Sequence, residues 1–139
     1  MKLGFIGTGK ITSAVVTGIC SSNISYKKII ISHRNKSIAQ SLKKKFKKIT
    51  ISKDNQEIVN TCDWIFLSVI PTVGEKIIKD LKFRSNQTII SFISTITLAQ
   101  LKKAIKVKAK IIRAIPLPPI SLKKGPVPIC PPNKKVKDF

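Results

Sequence analysis

The sequence predicts an α/β fold in which a doubly wound parallel sheet lies between two layers of helices, a three-layer α/β/α arrangement. Three observations support this prediction. Apolar, β-branched segments alternate with segments of helical periodicity from the first residues to about residue 115. The segment Asp63–Val69 is almost continuously apolar, as expected of a strand covered on both faces. A glycine-containing turn directly follows the first predicted strand and opens the first predicted helix.

The first part of the chain predicts three strands and two helices. Lys2–Ile6 is a short apolar strand, and Lys10–Cys20 follows it with apolar residues at helical spacing. Lys28–Ser32 is a run of β-branched residues and is therefore the second strand. Lys36–Phe46 places apolar residues at intervals of four with lysines outside, which predicts a helix, and Ile49–Ile51 is a short third strand.

The middle of the chain continues the alternation. Asn55–Cys62 is a short helix or turn that leads into the apolar strand Asp63–Val69. Thr72–Leu81 is helical, because its apolar residues recur at helical spacing. Gln87–Ile93 is the fifth strand.

A capped helix and a sixth strand complete this series. Thr97 is expected to cap the helix, because Gln100 stands three positions on and completes a capping box. Lys110–Ile115 is the sixth strand. Right-handed crossovers between such strands place helices on both faces of a parallel sheet.

Composition changes after this strand. Seven of the eight prolines lie between Pro116 and Pro132, and proline is excluded from regular helices and from central strands. We therefore predict one α/β domain over residues 1–115, followed by a proline-rich segment over residues 116–139. That segment is expected to cross the carboxyl edge of the sheet as an extended loop, and Lys134–Phe139 could open another helix.

Length and composition exclude several classes of protein. At 139 residues the chain is the size of one domain, and no apolar run approaches the roughly 20 residues that a membrane helix needs. The N-terminus lacks the pattern of a signal peptide. The three cysteines are far apart and there is one histidine, which fits neither a zinc site nor a disulfide framework. We expect a cytoplasmic protein with no metal and no membrane partner.

The formal net charge of +21 raises the alternative of a nucleic-acid-binding protein. Only three of the 27 basic residues are arginine, the residue preferred for bidentate contacts to bases and phosphates. Lysine and isoleucine are both abundant, as in proteins encoded by AT-rich genomes. We therefore expect the charge to be spread over solvated helix faces, with no nucleic-acid partner.

The glycine-containing turn is the motif that points to a ligand. Gly7 permits a tight turn, and Gly9 lets a diphosphate approach the backbone at the start of the first helix, where N–H groups are unpaired. Thr12 stands where the dinucleotide-binding fingerprint prefers glycine, which weakens the match without abolishing it. The motif in this strand–turn–helix context predicts a Rossmann-type dinucleotide-binding fold.

The end of the second predicted strand indicates which dinucleotide. NAD enzymes usually carry a carboxylate there for the ribose 2′-hydroxyl, and this chain has none in Ser32–Lys36. Ser32 can donate a hydrogen bond to a 2′-phosphate, and Arg34 can bind the same phosphate through two hydrogen bonds from its planar guanidinium group. The sequence thus favours NADP(H) over NAD(H); the alternative is that Arg34 and Lys36 are solvated loop charges.

Three further loops are expected to complete the site, because Rossmann folds bind their ligands outside the carboxyl ends of the strands. Ser68–Pro71 follows the fourth strand, Phe92–Ser94 ends the fifth, and Asn55 follows the third. The alternative is that each of these segments is a loop without a role in binding.

These residues resemble those of the pyrroline-5-carboxylate reductase family, in its N-terminal NADP-binding domain. GFIGTGKITSAVVTGI is similar to the family's GFIGxGxMxxAxxxG, and DWIFLSVIP to its aDvvfLAVKP. IISFISTITLAQL is similar to vvSxaAGvtlxxL, and IIRAIPLPP to vvRxMPNTP. The resemblance extends from Met1 to about Pro132 and implies an oxidoreductase that makes proline with NADPH.

The resemblance also implies a set of coenzyme contacts, which overlaps the set derived from the residues. Together the two sets give these cofactor-binding residues: Ile6, Gly7, Thr8, Gly9, Lys10, Ile11, Ser32, Arg34, Asn55, Ser68, Val69, Ile70, Pro71, Phe92, Ile93 and Ser94. No residue is predicted to be catalytic, because the six acidic residues are scattered and His33 is expected at the adenosine end.

The chain departs from the family at several positions. Ile70 replaces a lysine, Thr95 replaces a glycine, and Leu117 and Pro118 replace the Asn-Thr of a motif that borders the family's substrate pocket. In the family a helical domain follows, mediates dimerisation and supplies much of the substrate site, and we expect this sequence to lack it. A homo-oligomer is expected only if such a domain exists.

Three functions therefore stay open on the sequence. The first is an NADP-dependent imine reductase of this family, or part of one, acting on a small-molecule substrate. The second is a non-enzymatic dinucleotide-binding module that needs a partner for chemistry. The third, a basic nucleic-acid-binding protein, predicts positive charge clustered on one face.

Overall fold

A seven-stranded sheet runs through the centre of the molecule in the order β3-β2-β1-β4-β5-β6-β7. The computed structural model describes residues 1–139. The strands are β1 (Lys2–Ile6), β2 (Lys28–Ser32), β3 (Ile49–Ser52), β4 (Trp64–Leu67), β5 (Thr88–Ser91), β6 (Lys110–Ala114) and β7 (Ile129–Cys130). The helices are α1 (Lys10–Cys20), α2 (Lys36–Lys45), α3 (Asn55–Thr61), α4 (Pro71–Asp80), α5 (Leu98–Ala104) and α6 (Lys134–Lys137), with a 3₁₀ helix at Pro118–Leu122.

The first six strands are parallel, and β1 lies between β2 and β4. The chain first builds outward through β2 and β3, then crosses back and builds the other way through β4, β5 and β6. The direction reverses between β1 and β4, which is where a Rossmann fold binds its ligand. The predicted doubly wound fold is confirmed.

Each face of the sheet carries its own apolar core. On one face α3, α4 and α5 pack through buried side chains such as Ile58, Ile78 and Leu101. On the other face α1 and α2 cover an aromatic layer in which Phe5 and Phe66 stack with ring centroids 4.4 Å apart. Burial on both faces explains why the strands are apolar at successive positions rather than at alternate ones.

The predicted elements agree closely with the observed ones, and the differences lie at the ends of strands and helices. β4 ends at Leu67 rather than Val69, because its ladder partner β1 ends at Ile6, which pairs with Leu67. The capping box of α5 is confirmed, since the Thr97 hydroxyl accepts from the Gln100 amide and the Gln100 side chain accepts from the Thr97 amide. None of the helices combines the length and apolar character needed to cross a bilayer.

The proline-rich segment corrects one prediction. Residues 116–139 do not form only an extended loop at the carboxyl edge. The 3₁₀ helix packs on α1, where a Cβ added at Gly18 would meet the Ile120 carbonyl oxygen at 2.4 Å. The short strand β7 then pairs antiparallel with β6. Proline permits both elements, because it is tolerated in the first turn of a helix and beside an edge strand.

The three cysteines are free thiols in different surroundings, which predicts different reactivities. Burial raises the pKa of the Cys62 thiol to about 12, and the Asp63 charge adds to this rise. Burial also raises the pKa of Cys20. A raised thiol pKa leaves the thiolate, which is the nucleophile, scarce at pH 8. Cys130 is exposed.

At pH 8 a chromogenic disulfide reagent should therefore react rapidly with one thiol of the native protein. It should react with all three thiols only after the protein is unfolded. The variant Cys130→Ser should lose the fast phase. Rapid labelling of any thiol in the folded variant would contradict the low reactivity expected of Cys20 and Cys62.

Candidate functional site

The turn between β1 and α1 can be built only with glycine at its first position. Gly7 has φ +99°, a conformation that residues with a side chain rarely adopt. A Cβ there would also lie 2.2 Å from the Ser68 carbonyl oxygen at the end of β4. Gly7 therefore lets the turn pass directly against β4, at the point where the strand order reverses.

Gly9 is used differently, because no protein atom lies within 4 Å of the position that a Cβ would occupy. The residue is the N-cap of α1, and no side chain caps this helix. By contrast, Asn35 and Asp54 cap α2 and α3 with side-chain hydrogen bonds. The start of α1 thus combines open space with first-turn N–H groups that receive no side-chain cap, the arrangement that binds anions.

Hydroxyl groups at the carboxyl end of β2 and in the turn itself hold the glycine turn by hydrogen bonds. The Gly7 amide donates to Ser32 Oγ at 3.0 Å, and the Thr8 hydroxyl donates to the Ser32 carbonyl. Ser32 Oγ and Thr8 Oγ1 lie 2.9 Å apart, so the Ser32 proton is directed to Thr8 once the Thr8 proton is used. Thr12, at the third fingerprint position, is fully buried and donates to the Gly7 carbonyl at 2.8 Å.

This network gives Ser32 a structural role, while its contact with the coenzyme stays a prediction. The residue lies at the predicted place, at the carboxyl end of β2, but only 3% of its surface is exposed. In this arrangement the Ser32 hydroxyl points toward Thr8. Ser32 is a support of the glycine turn in this arrangement.

A polar pocket of about 300 Å³ lies at the carboxyl ends of β1, β2 and β3. Five of the predicted cofactor-binding residues line it: Gly7, Ser32, Arg34, Asn55 and Val69. Four further residues line it that the predicted set did not include: His33, Lys36, Lys53 and Ile77. Sequence reasoning expected His33 near the adenosine end and considered Lys36 beside Arg34, but it missed Lys53, which follows β3 directly.

The lining of this pocket is basic and contains no acidic side chain. The two acidic residues nearest in sequence are engaged elsewhere. Asp54 Oδ1 accepts from the Gln56 amide at 2.8 Å as the cap of α3, and the Glu57 carboxylate binds the Ser52 hydroxyl. The pocket is therefore suited to an anionic group.

The remaining predicted residues occupy the same edge of the sheet but differ in what they expose. The side chains of Ile6 and Ile93 belong to the apolar core, so these positions offer only backbone atoms. Ile70 is 59% exposed and Pro71 begins α4. These positions stay predictions as coenzyme contacts.

The loop after β5 is held by a basic residue of the neighbouring strand. The Arg113 guanidinium donates to the Ser94 carbonyl at 2.5 Å. Phe92 turns to the other face of the sheet, where its ring lies 5.6 Å from that of Phe66. The loop thus presents backbone and the exposed Ser94 side chain at the carboxyl edge.

A larger cavity of about 820 Å³ lies on that other face, between α1, the sheet and residues 116–139. Apolar side chains such as Ile19, Phe92 and Phe139 form most of its wall. It shares no lining residue with the polar pocket. The features that suit a diphosphate therefore lie outside the larger cavity.

Comparison with known proteins agrees with this site. Residues 2–95, about two thirds of the chain, match the model of the family described as NADP oxidoreductase, coenzyme F420-dependent. The matched region contains the glycine turn, the polar pocket and the loop after β5.

The individual relatives are named as one specific kind of enzyme. Over 128 residues the chain is 29% identical to pyrroline-5-carboxylate reductase 3 of Danio rerio, covering 90% of this chain and 44% of that protein. Over 133 residues it is 29% identical to the pyrroline-5-carboxylate reductase of Escherichia coli, covering 94% and 49%. The chain thus spans about half the length of these relatives. They confirm the resemblance that the four motifs indicated.

Solved structures share the fold. A Plasmodium falciparum pyrroline carboxylate reductase with NADP bound superposes with a TM-score of 0.81 at 24% identity, covering 99% of this chain and 52% of that one. A 3-hydroxyacyl-CoA dehydrogenase from Archaeoglobus fulgidus gives 0.74 at 15% identity, covering 100% and 51%. With the glycine turn and the basic pocket inside the matched region, the chain belongs to the family described as NADP oxidoreductase, coenzyme F420-dependent.

Proposed function

We propose that this chain is the NADP(H)-binding domain of a pyrroline-5-carboxylate reductase-like oxidoreductase. The observation that carries the proposal is the start of α1, where the space beside Gly9 is open and no side chain caps the helix. A diphosphate fits this position because it can accept hydrogen bonds from the first-turn N–H groups and is favoured by the helix dipole. The basic pocket beside it adds groups suited to a further phosphate.

Each part of the site has its own task in this proposal. The backbone of Gly7–Ile11 holds the diphosphate, Arg34 binds the 2′-phosphate, and Asn55 lies beside the adenosine. The loops Ser68–Pro71 and Phe92–Ser94 flank the nicotinamide end. When bound, NADPH would supply the hydride for reduction of an imine carbon, and the chain would position the coenzyme and exclude water.

The wider properties of the protein follow from the same proposal. The substrate is a small cyclic imine, as in the named activity of the relatives. No side chain of this chain is assigned as an acid or base. We propose a cytoplasmic location with neither a nucleic-acid nor a membrane partner, and oligomerisation only through a further domain. The division into a coenzyme domain at 1–115 and an edge segment at 116–139 belongs to this proposal.

Calorimetric titration with NADPH, together with a turnover assay, tests the proposed function. We expect saturable NADPH binding by the 139-residue chain and little or no oxidation of NADPH when pyrroline-5-carboxylate is added. The second expectation rests on the length of the relatives, of which this chain spans about half. Absence of NADPH binding would refute the proposal, and normal turnover would refute the need for further residues.

Arg34→Met should change coenzyme preference rather than abolish binding. Arg34 is exposed, lines the polar pocket and makes no hydrogen bond or ion pair within the chain, so it is free to bind a phosphate. Loss of a hydrogen bond to a charged group at an exposed site should weaken NADPH binding about tenfold and leave NADH binding unchanged. Equal affinity of the unaltered chain for NADPH and NADH would contradict the role of Arg34.

A further inference from the structure

We propose that Lys53 is a second specificity residue for NADPH and binds the 2′-phosphate together with Arg34. The inference rests on the proposed function, because it concerns the same pocket. Neither the glycine motif nor the end of β2 points to this residue.

The strand register brings Lys53 to the pocket. Ser32 of β2 pairs with Ser52 of β3, so both strands end at the same level. Lys53 is the next residue after β3, as His33 is after β2, and both line the pocket with Arg34. Cations that are distant in sequence therefore border one cavity from two neighbouring strands.

The backbone on both sides of Lys53 is fixed. The Ser52 hydroxyl accepts from the Asp54 amide at 3.1 Å and binds the Glu57 carboxylate of α3. Asp54 is held as the cap of α3 through the Gln56 amide at 2.8 Å. Lys53 is thus carried on a short loop whose neighbours are both hydrogen-bonded, which lowers the entropic cost of using its side chain.

The ammonium group of Lys53 has no anionic partner within the chain. The one ion pair in the structure joins Lys79 to Glu75 on α4. Asp54 and Glu57, the acids closest to Lys53 in sequence, are occupied by the cap of α3 and by Ser52. A phosphate monoester carries close to two negative charges at neutral pH, so it suits a pocket lined by Arg34 after β2 and by Lys53 after β3.

The test compares Lys53→Met with Lys106→Met, which removes the same charge from an exposed residue in the loop before β6, at the opposite edge of the sheet. Four probes are titrated by calorimetry: NADPH, NADH, adenosine 2′,5′-bisphosphate and adenosine 5′-monophosphate. We expect Lys53→Met to weaken NADPH and the bisphosphate about tenfold, and to leave NADH and the monophosphate within about twofold. Lys106→Met should leave all four within about twofold.

The outcomes separate this inference from the proposed function. If the unaltered chain binds neither NADPH nor the bisphosphate, the proposed function itself fails. If it prefers NADPH and Lys53→Met keeps the full preference, the assignment of Lys53 is wrong while the proposed function stands. Equal weakening by Lys106→Met would also overturn the assignment, because it would indicate attraction by overall charge.

Discussion

Replacing Gly9 by aspartate is expected to weaken NADPH binding at least about a hundredfold while leaving the folded chain as stable as before or slightly more stable. The backbone at Gly9 has φ −96° and ψ −170°, which any residue adopts, and a Cβ there meets no protein atom within 4 Å. Aspartate is a favoured N-cap and interacts well with the helix dipole, so α1 gains up to about 1 kcal/mol. The same carboxylate would take the N–H groups that the diphosphate needs and would repel its charge.

The expected size follows from the bonds that are replaced. Two charge-assisted hydrogen bonds at about 1.5 kcal/mol each correspond to somewhat more than a hundredfold in affinity. Calorimetric titration with NADPH and thermal unfolding of the same samples measure both effects. Gly9→Asn serves as the control, because asparagine caps equally well without a charge and should weaken binding less than aspartate. Unchanged NADPH affinity in Gly9→Asp would show that the diphosphate does not lie at the start of α1.

The fold could be predicted from the sequence because its signals are local. The periodicity of Lys10–Cys20 and the β-branched run Lys28–Ser32 gave the bounds that the structure shows. The capping box of Thr97 and Gln100 involves residues three positions apart, so it can be predicted from their spacing in the sequence. The parallel direction of the strands could be predicted from the alternation of strands and helices, since strands connected through a helix usually pair in parallel.

What could not be predicted depends on contacts between distant segments. Lys53 reaches the pocket through the register of β2 and β3, and no pattern within either strand encodes a register. The hydroxyl of Ser32 is used by Thr8, which is 24 positions away. The proline-rich segment packs on α1 because Gly18 leaves room for the Ile120 carbonyl, a fit that composition cannot reveal.

Gly7→Ala is expected to lower the free energy of unfolding by more than about 4 kcal/mol, which is a large share of the roughly 5–15 kcal/mol typical of a domain. Two costs add at this position. The positive φ of +99° strains any residue with a side chain, and the new methyl group would lie 2.2 Å from the Ser68 carbonyl oxygen. A methyl group has no torsion by which to avoid a backbone atom, so β1 and β4 would have to separate at their carboxyl ends.

Gly125→Ala separates these two costs, because Gly125 has a similar φ of +87° but no atom within 4 Å of its Cβ position. It should lose only about 1–2 kcal/mol, the cost of the backbone conformation alone. Urea unfolding of both variants measures the difference. If Gly7→Ala were no less stable than Gly125→Ala, the turn would not press against β4. The crevice at the strand reversal would then be wider than the structure shows, and the positions assigned to the diphosphate would have to move with it.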